Sequence, residues 1–339
     1  MLFLALLFVL RLTPDTPDTP LKQPQIAANG DTVALTYGAG NTIYFARSND
    51  SGKTFSKAVK VAEPSFLYLG RHRGPRVVMT GDALLITAIT GTEHGKGDLV
   101  AYRSTDQGET WSKAIRVNDV SDSAREGLHT TAADASGLAW TVWLDLREKG
   151  TRLYGAYSTD AGKTWSKNQL VYQSPDGHIC ECCHPTAYIG PKGELYAMFR
   201  NWLNGSRDMY SVVSTDRKTW RAEKLGTGTW PLNACPMDGG GIAIANGTVQ
   251  SVWRRDDTVY ATTGAGPEIA VGKGKDPAMA ADPKGPYVAF QQEGIIKLKK
   301  PESKDLVTLG KGAFPVLAGT SALYAAWEDD GVVNVERIR

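Results

Sequence analysis

The sequence has no apolar run long enough to cross a bilayer and no surplus of basic residues. Its longest apolar segment covers residues 2–10, whereas a membrane-spanning helix needs about 18 or more apolar residues. Thirty-eight lysines and arginines face 36 acidic residues, a net charge of +2, and proteins that bind a phosphate backbone carry a larger basic excess. We therefore expect no internal transmembrane segment and no nucleic-acid partner.

The N-terminal apolar segment has the length of a signal-peptide core but lacks a basic region before it and a small-residue cleavage site after it. Residues 13–20 then read TPDTPDTP, which is typical of a stiff linker. We expect residues 1–22 to be an export-signal remnant and linker outside the fold. Residues 23–339 are expected to form one domain of a secreted or periplasmic protein. A short buried N-terminal strand is the alternative.

Four segments of the chain are near-copies of one another. Each reads Ser-x-Asp-x-Gly-x-Thr-aromatic, although the last is one residue shorter and lacks the glycine; they cover 48–55, 104–111, 158–165 and 214–220. The aspartate can accept backbone hydrogen bonds within a turn, the glycine supplies a positive φ, and the aromatic ring can pack between neighbouring sheets. With 36 glycines and almost no helical periodicity, the sequence predicts an all-β fold built from repeats.

A second repeat counts the units. An apolar strand, a small turn and another apolar strand recur at 25–37, 76–90, 130–144, 186–200, 241–254, 278–291 and 316–328. The last unit leaves room for a third strand but not for a fourth, so closing a ring would require a strand from the N-terminus. The sequence predicts a β-propeller of seven four-stranded blades, with six blades as the alternative.

The four turn segments resemble the Asp-box, or BNR repeat, of sialidase-like β-propellers. A narrower resemblance, to bacterial sialidase-like proteins with a C-x-C-C-H-P motif, is carried by RGPR at 73–76, CECCHP at 180–185 and NACPMDGGG at 233–241. The narrower resemblance implies a site shared with those proteins, without naming its reaction. Sialidases place the first of three carboxylate-binding arginines on the first blade, but this chain has none between Gln23 and Arg47.

In a propeller, the loops between blades share one face with the loops between second and third strands. That assignment brings all five histidines and all four cysteines to one face. Five of these residues are soft or borderline metal ligands close in sequence or one blade apart: Cys180, Cys182, Cys183, His184 and Cys235. They predict a Zn or Cu site. Disulfides, for example Cys180–Cys183, and free thiols are the alternatives.

The same face carries arginines that can bind a carboxylate through two parallel hydrogen bonds. The candidate substrate-binding residues are Arg73, Arg147, Arg200, Arg207 and Arg254. The alternative is that they pair with neighbouring aspartates as struts within the loops. The candidate catalytic residues are Asp145, His129, Asp208, Tyr210 and Asp238.

These residues favour an exported, sialidase-like glycoside hydrolase that acts on an anionic carbohydrate at an arginine-lined mouth. A non-hydrolytic propeller that binds Zn, Cu or another ligand at the Cys/His cluster is the alternative. A polysaccharide lyase is a further one, in which a histidine or tyrosine removes a proton next to a uronate carboxylate. We expect a monomer in each case.

Overall fold

The computed structural model of the chain describes residues 9–14, 19–264, 266–319 and 322–339. Every regular element in these ranges is a β-strand, and the strands form seven sheets. The predicted seven-bladed, all-β propeller is confirmed, and the six-bladed alternative is wrong. Among the described residues, no helix is long and apolar enough to span a membrane.

The chain begins with β1 (Val9–Leu12) and then forms the blades in order. Blade 1 contains β2 (Leu21–Asn29), β3 (Thr32–Ala39), β4 (Thr42–Ser48) and β5 (Val59–Ala62). Blade 2 contains β6 (Phe66–Leu67), β7 (Arg76–Thr80), β8 (Ala83–Gly91), β9 (Asp98–Ser104) and β10 (Ile115–Arg116). Blade 3 contains β11 (His129–Ala133), β12 (Ala139–Asp145), β13 (Arg152–Ser158) and β14 (Gln169–Tyr172). Blades 4 and 5 contain β15 (Thr186–Ile189), β16 (Leu195–Arg200), β17 (Met209–Ser214), β18 (Arg221–Lys224); β19 (Gly240–Ala245), β20 (Thr248–Arg255), β21 (Thr258–Thr263), β22 (Ile269–Lys273). Blades 6 and 7 contain β23 (Lys275–Asp282), β24 (Gly285–Gln292), β25 (Ile295–Lys299), β26 (Leu306–Lys311); β27 (Ala313–Gly319), β28 (Leu323–Asp329), β29 (Val332–Arg337).

The N-terminal strand closes the ring. β1 pairs antiparallel with β29, with Val9 opposite Glu336 and Leu12 opposite Val333, so it supplies the fourth strand that blade 7 lacks. This corrects the expectation that residues 1–22 lie outside the fold, because residues 9–12 belong to blade 7 and β2 begins at Leu21. Residues 1–8 and 15–18, which hold much of the predicted export signal and linker, lie outside the described residues.

The Asp-box turns connect the third and fourth strands of blades 1 to 4, on the face opposite the inter-blade loops. In the first, Asp50 accepts hydrogen bonds from the hydroxyls of Ser48 (2.7 Å) and Thr54 (2.6 Å) and from the Thr54 amide (2.9 Å). These bonds, led by that of the Thr54 hydroxyl, lower the pKa of Asp50 to about 2. The boxes are therefore self-contained turns, as predicted from their residues.

Aromatic rings at the ends of these turns pack between blades. Trp111 lies edge-on to Phe45 of blade 1 with ring centroids 5.2 Å apart, and Trp220 stacks on Trp140 of blade 3 at 5.1 Å. The buried apolar clusters likewise draw side chains from two neighbouring blades. The blades bury their apolar faces against one another, which makes the ring one packing unit.

The innermost strands of three blades share an irregular start. β2, β23 and β27 each shift register against the next strand just after a residue with φ near +53°: Gln23, Asp276 and Phe314, each followed by proline. A bulge re-aims side chains near the end of a strand. The side chains of Asp276 and Phe314 both contact His72, so these irregular starts build the rim of the central channel.

Candidate functional site at the axial mouth

The mouth cavity is a space of about 140 Å³ where the innermost strands begin. Its lining includes His72, Arg76, His184, Thr130 and Thr186. A channel of about 340 Å³ continues along the inner strands. A larger cleft of about 660 Å³ lies beside β1 at the edge of blade 1, but its described lining contains neither histidine nor cysteine. The mouth cavity is therefore the better candidate for chemistry.

His72 is held from three sides. Its Nε2 lies 2.8 Å from Oδ1 of the buried Asp276, its ring stacks on His184 with centroids 4.1 Å apart, and Phe314 contacts it edge-on at 4.9 Å. A carboxylate that accepts the Nε2 proton leaves Nδ1 as the basic nitrogen of a neutral imidazole. His72 thus has the arrangement of a positioned general base.

Asp238 supports Asp276 from the neighbouring blade. Its Oδ2 accepts the Asp276 amide at 3.0 Å and lies 3.5 Å from Nε of Arg254, while its Oδ1 has no hydrogen-bond partner. Burial, followed by the charge of Asp276, raises the pKa of Asp238 to about 6. The predicted catalytic candidate Asp238 therefore lies next to the mouth, although it does not line the cavity itself.

His184 forms the other half of the imidazole stack. It lines the cavity, and its buried Nδ1 has no hydrogen-bond partner. Burial, followed by the charges of His72 and Arg76, lowers its pKa well below 6.5. The ring needs the glycine beside it, because a Cβ at Gly239 would lie 2.3 Å from the His184 carbonyl oxygen and 2.7 Å from its Cε1.

Arg76 brings a positive charge to the cavity. Its side chain is buried, and it donates hydrogen bonds to the carbonyls of Gly74, Pro75 and His72. Burial lowers its pKa to about 10, so the guanidinium remains charged at neutral pH. No carboxylate of the described residues lies within 4 Å of it. A buried cation without an acidic partner is costly unless a ligand supplies the negative charge.

The five arginines predicted to bind substrate do not line this cavity. Arg147 makes paired hydrogen bonds to Asp145 (2.8 and 2.9 Å), and Arg200 donates to the carbonyls of Asp238, Arg207 and Arg254. Arg207 contacts Cys180, Arg254 lies beside Asp238, and Arg73 donates to the carbonyl of Glu126. The alternative of pairing with neighbouring aspartates therefore describes Arg147, whereas Arg200 is held by backbone carbonyls.

Four predicted catalytic residues also have structural surroundings. Asp145 accepts from Trp143 Nε1 (2.7 Å) as well as from Arg147, and Asp208 pairs with Lys224 (2.9 Å). Tyr210 packs beside Tyr172 and Phe199, and His129 Nε2 lies 3.1 Å from the Thr87 hydroxyl. Burial, followed by the charge of Arg76, lowers the pKa of His129. None of the four lines the mouth cavity.

The predicted five-ligand metal set separates into three parts. The thiols of Cys180, Cys182 and Cys183 lie together, His184 turns to His72, and Cys235 is exposed. All four cysteines are free in the structure, and the sulfurs of Cys180 and Cys183 are 3.3 Å apart. The S–S bond of a disulfide is about 2.05 Å long, so the separation of the Cys180 and Cys183 sulfurs is that of two unbonded thiols.

His72 is one of the five histidines predicted on this face but has no predicted role, and Arg76, Asp276 and Phe314 are not among the predicted site residues. A signal was present: proline follows Gln23, Gly74, His184, Asp276 and Phe314, in each case next to the start of an innermost strand. Proline at a strand start marks irregular backbone. At three of these positions, His184, Asp276 and Phe314, the residue before the proline lines the mouth cavity or contacts His72.

The repeats, the ring of seven blades and the polar axial mouth define a BNR-type β-propeller. The model of the BNR repeat-like domain matches residues 25–172 and 80–246. The chain belongs to this family.

Three similar proteins extend the comparison. A xyloglucanase from a Paenibacillus species is 24% identical over 221 residues, which cover 58% of this chain and 20% of that protein. An α-L-arabinanase from Penicillium chrysogenum, complexed with arabinobiose, has a TM-score of 0.59 at 14% identity over 98% of this chain and 97% of its own. An ulvan lyase bound to a GlcA–Rha3S repeat has a TM-score of 0.59 at 12% identity over 96% and 93%. This chain spans about a fifth of the xyloglucanase, and the two structures establish the shared propeller fold.

Proposed function

We propose that this chain is an exported glycan-active enzyme whose substrate is an acidic carbohydrate, bound with its carboxylate near Arg76 in the mouth cavity. The observation that carries the proposal is the buried guanidinium of Arg76, which lies beside the His72–Asp276 pair and has no carboxylate of the described residues within 4 Å. A uronate or similar acid would neutralise that charge. The apolar residues that precede β1 in the sequence, residues 2–8, support export.

The proposed reaction begins with removal of the proton on the carbon that bears the carboxylate. The electron pair of that C–H bond then forms a C=C bond while the C–O bond to the leaving sugar breaks, and solvent water protonates the oxygen of the leaving sugar. His72 would take the proton on Nδ1, Asp276 would hold the ring and stabilise the imidazolium, and Arg76 would stabilise the charge that develops on the carboxylate. No described residue that lines the cavity carries a carboxylate. Hydrolysis ordinarily requires two carboxyl groups beside the scissile bond, so the lining favours elimination over the predicted hydrolase.

The cavity of about 140 Å³ is smaller than the roughly 300–1,000 Å³ of pockets that enclose a small ligand. It can hold a terminal group but not a whole oligosaccharide. The fold's relatives support a carbohydrate ligand, since the arabinanase and the ulvan lyase structures both contain one.

The test is a screen of acidic polysaccharides with two readouts, the ultraviolet absorbance of an unsaturated uronate and the release of reducing ends. His72→Gln is expected to lower kcat by about 10²–10⁴-fold. His94→Gln is the matched control, because His94 packs on Phe66 and Tyr68 and does not line the cavity. Reducing ends without the absorbance would replace elimination with hydrolysis. Wild-type rates in His72→Gln would remove His72 from the mechanism.

A further inference from the structure

A second chemically distinct cluster lies in the loop between β14 and β15, and the proposed reaction does not use it. Sγ of Cys180 is 3.6 Å from Sγ of Cys182 and 3.3 Å from Sγ of Cys183, and all three sulfurs lie within 4.8 Å of one another. Cys180 and Cys183 are each about 1% exposed. Three soft donor atoms thus converge on one nearly buried point.

The spacing of the sulfurs suits a single metal ion. With metal–sulfur bonds of about 2.3 Å, three sulfurs around an ion would be about 4.0 Å apart in a plane and about 3.8 Å apart in a tetrahedron. The measured separations of 3.3 and 3.6 Å need only to widen by less than about 1 Å. Neighbouring side chains of one short loop can make that adjustment without moving a blade.

A fixed cation lies against the cluster. Nη1 of Arg207 is 2.9 Å from Sγ of Cys180 and 3.8 Å from Oε2 of Glu181. The guanidinium is itself held by the Leu232 carbonyl (3.2 Å) and by the face of Trp202 (4.7 Å). Because three thiolates and one monovalent ion carry a net charge of −2, an anchored guanidinium would reduce the cost of holding that charge in a buried site.

We propose that Cys180, Cys182 and Cys183 bind one Cu(I) ion as three thiolates, with Arg207 as a positioning residue. Thiolates select soft ions such as Cu(I). Zn²⁺ ordinarily requires four ligands, whereas His184 and Cys235 are not part of the three-sulfur group. On binding, each thiol releases its proton to solvent, and no change of oxidation state is required.

The test is an anaerobic titration of the reduced, metal-free full chain with Cu(I) in competition with a chromogenic Cu(I) chelator. Wild type is expected to take up about one Cu(I) per chain. Serine at any of the three positions is expected to weaken binding by more than about 100-fold, and Arg207→Lys by about 10-fold, the scale of changes next to a metal ligand. X-ray absorption at the copper edge should show sulfur neighbours only.

Cys235→Ser is the matched control, because it removes a thiol of the same chain outside the group, and it should retain wild-type affinity. Circular dichroism of each variant identifies those that fail to fold, and Cys182→Ser is the safest, since Cys182 is the least buried of the three. The proposal is overturned if folded Cys182→Ser binds Cu(I) like wild type, if Cys235→Ser loses binding equally, or if Zn²⁺ displaces Cu(I). A wild type that takes no copper from the chelator also overturns it.

Discussion

The raised pKa of Asp238 predicts how stability depends on pH. Asp238 is buried, and its pKa rises from an ordinary 3.8 to about 6 because of burial and then the charge of Asp276. The folded protein therefore holds this proton more tightly than the unfolded chain does. The contribution to stability is fully present below about pH 4 and is lost as pH rises through about 6. Asp238→Asn, which resembles the protonated acid, removes this dependence.

The magnitude follows from the size of the change in pKa. A shift of one pKa unit corresponds to about 1.4 kcal/mol. A rise in pKa from 3.8 to about 6 therefore destabilises the ionised wild type by about 3 kcal/mol relative to low pH. We expect the free energy of unfolding of Asp238→Asn, minus that of wild type, to increase by about this amount between pH 4 and pH 7.

The assay is urea unfolding of both proteins at four or more pH values, followed by tryptophan fluorescence. Asp276→Asn provides a second arm: removing its charge should shrink the pH dependence that Asp238 causes, because that charge is the second cause of the raised pKa. If the difference in unfolding free energy between Asp238→Asn and wild type stays constant from pH 4 to pH 7, Asp238 does not have a raised pKa in the folded protein.

Two further changes separate structure from function. Gly239→Ala places a methyl group against the His184 carbonyl and ring, and overpacking of this kind costs about 1–3 kcal/mol of unfolding free energy. We expect this variant to remain folded, as measured by circular dichroism, and to lose ligand binding at the mouth cavity, as measured by calorimetry. Arg147→Met leaves the buried Asp145 without its ion-pair partner, which should cost about 3–5 kcal/mol of unfolding free energy. The activity of the folded enzyme should stay unchanged. A loss of activity without a loss of stability would instead indicate that Arg147 binds the substrate.

The ring and its turns were predictable because their signals are local and repeated. Each Asp-box forms its hydrogen bonds between residues at most four positions apart, within Ser48–Thr54 in the first box. The recurring pairs of apolar strands indicated seven blades. The need for an N-terminal strand followed from counting alone. Its position, Val9–Leu12, did not, because four residues with a linker-like successor carry no distinctive pattern.

The mouth was only partly predictable, since its contacts join distant blades. His72 and Asp276 are 204 positions apart, and neither residue type nor periodicity states that they meet. The residue type alone also does not show which arginines are free to bind a ligand. Arg147 pairs with Asp145 two residues away, whereas Arg76 has no carboxylate of the described residues within 4 Å. The three-thiol cluster was predictable because its members are adjacent in sequence, whereas the orientation of His184 away from them was not.

Whether the mouth cavity recognises a carboxylate through Arg76 is tested by comparing two forms of one ligand. Wild type and Arg76→Met are titrated calorimetrically with uronic-acid oligosaccharides and with the same oligosaccharides after their carboxylates have been reduced to alcohols. We expect wild type to bind the acidic form and not the reduced form, and Arg76→Met, once confirmed to be folded, to lose this preference. Equal binding of the two forms by wild type, or an unchanged preference in Arg76→Met, would contradict an acid-binding mouth built around Arg76.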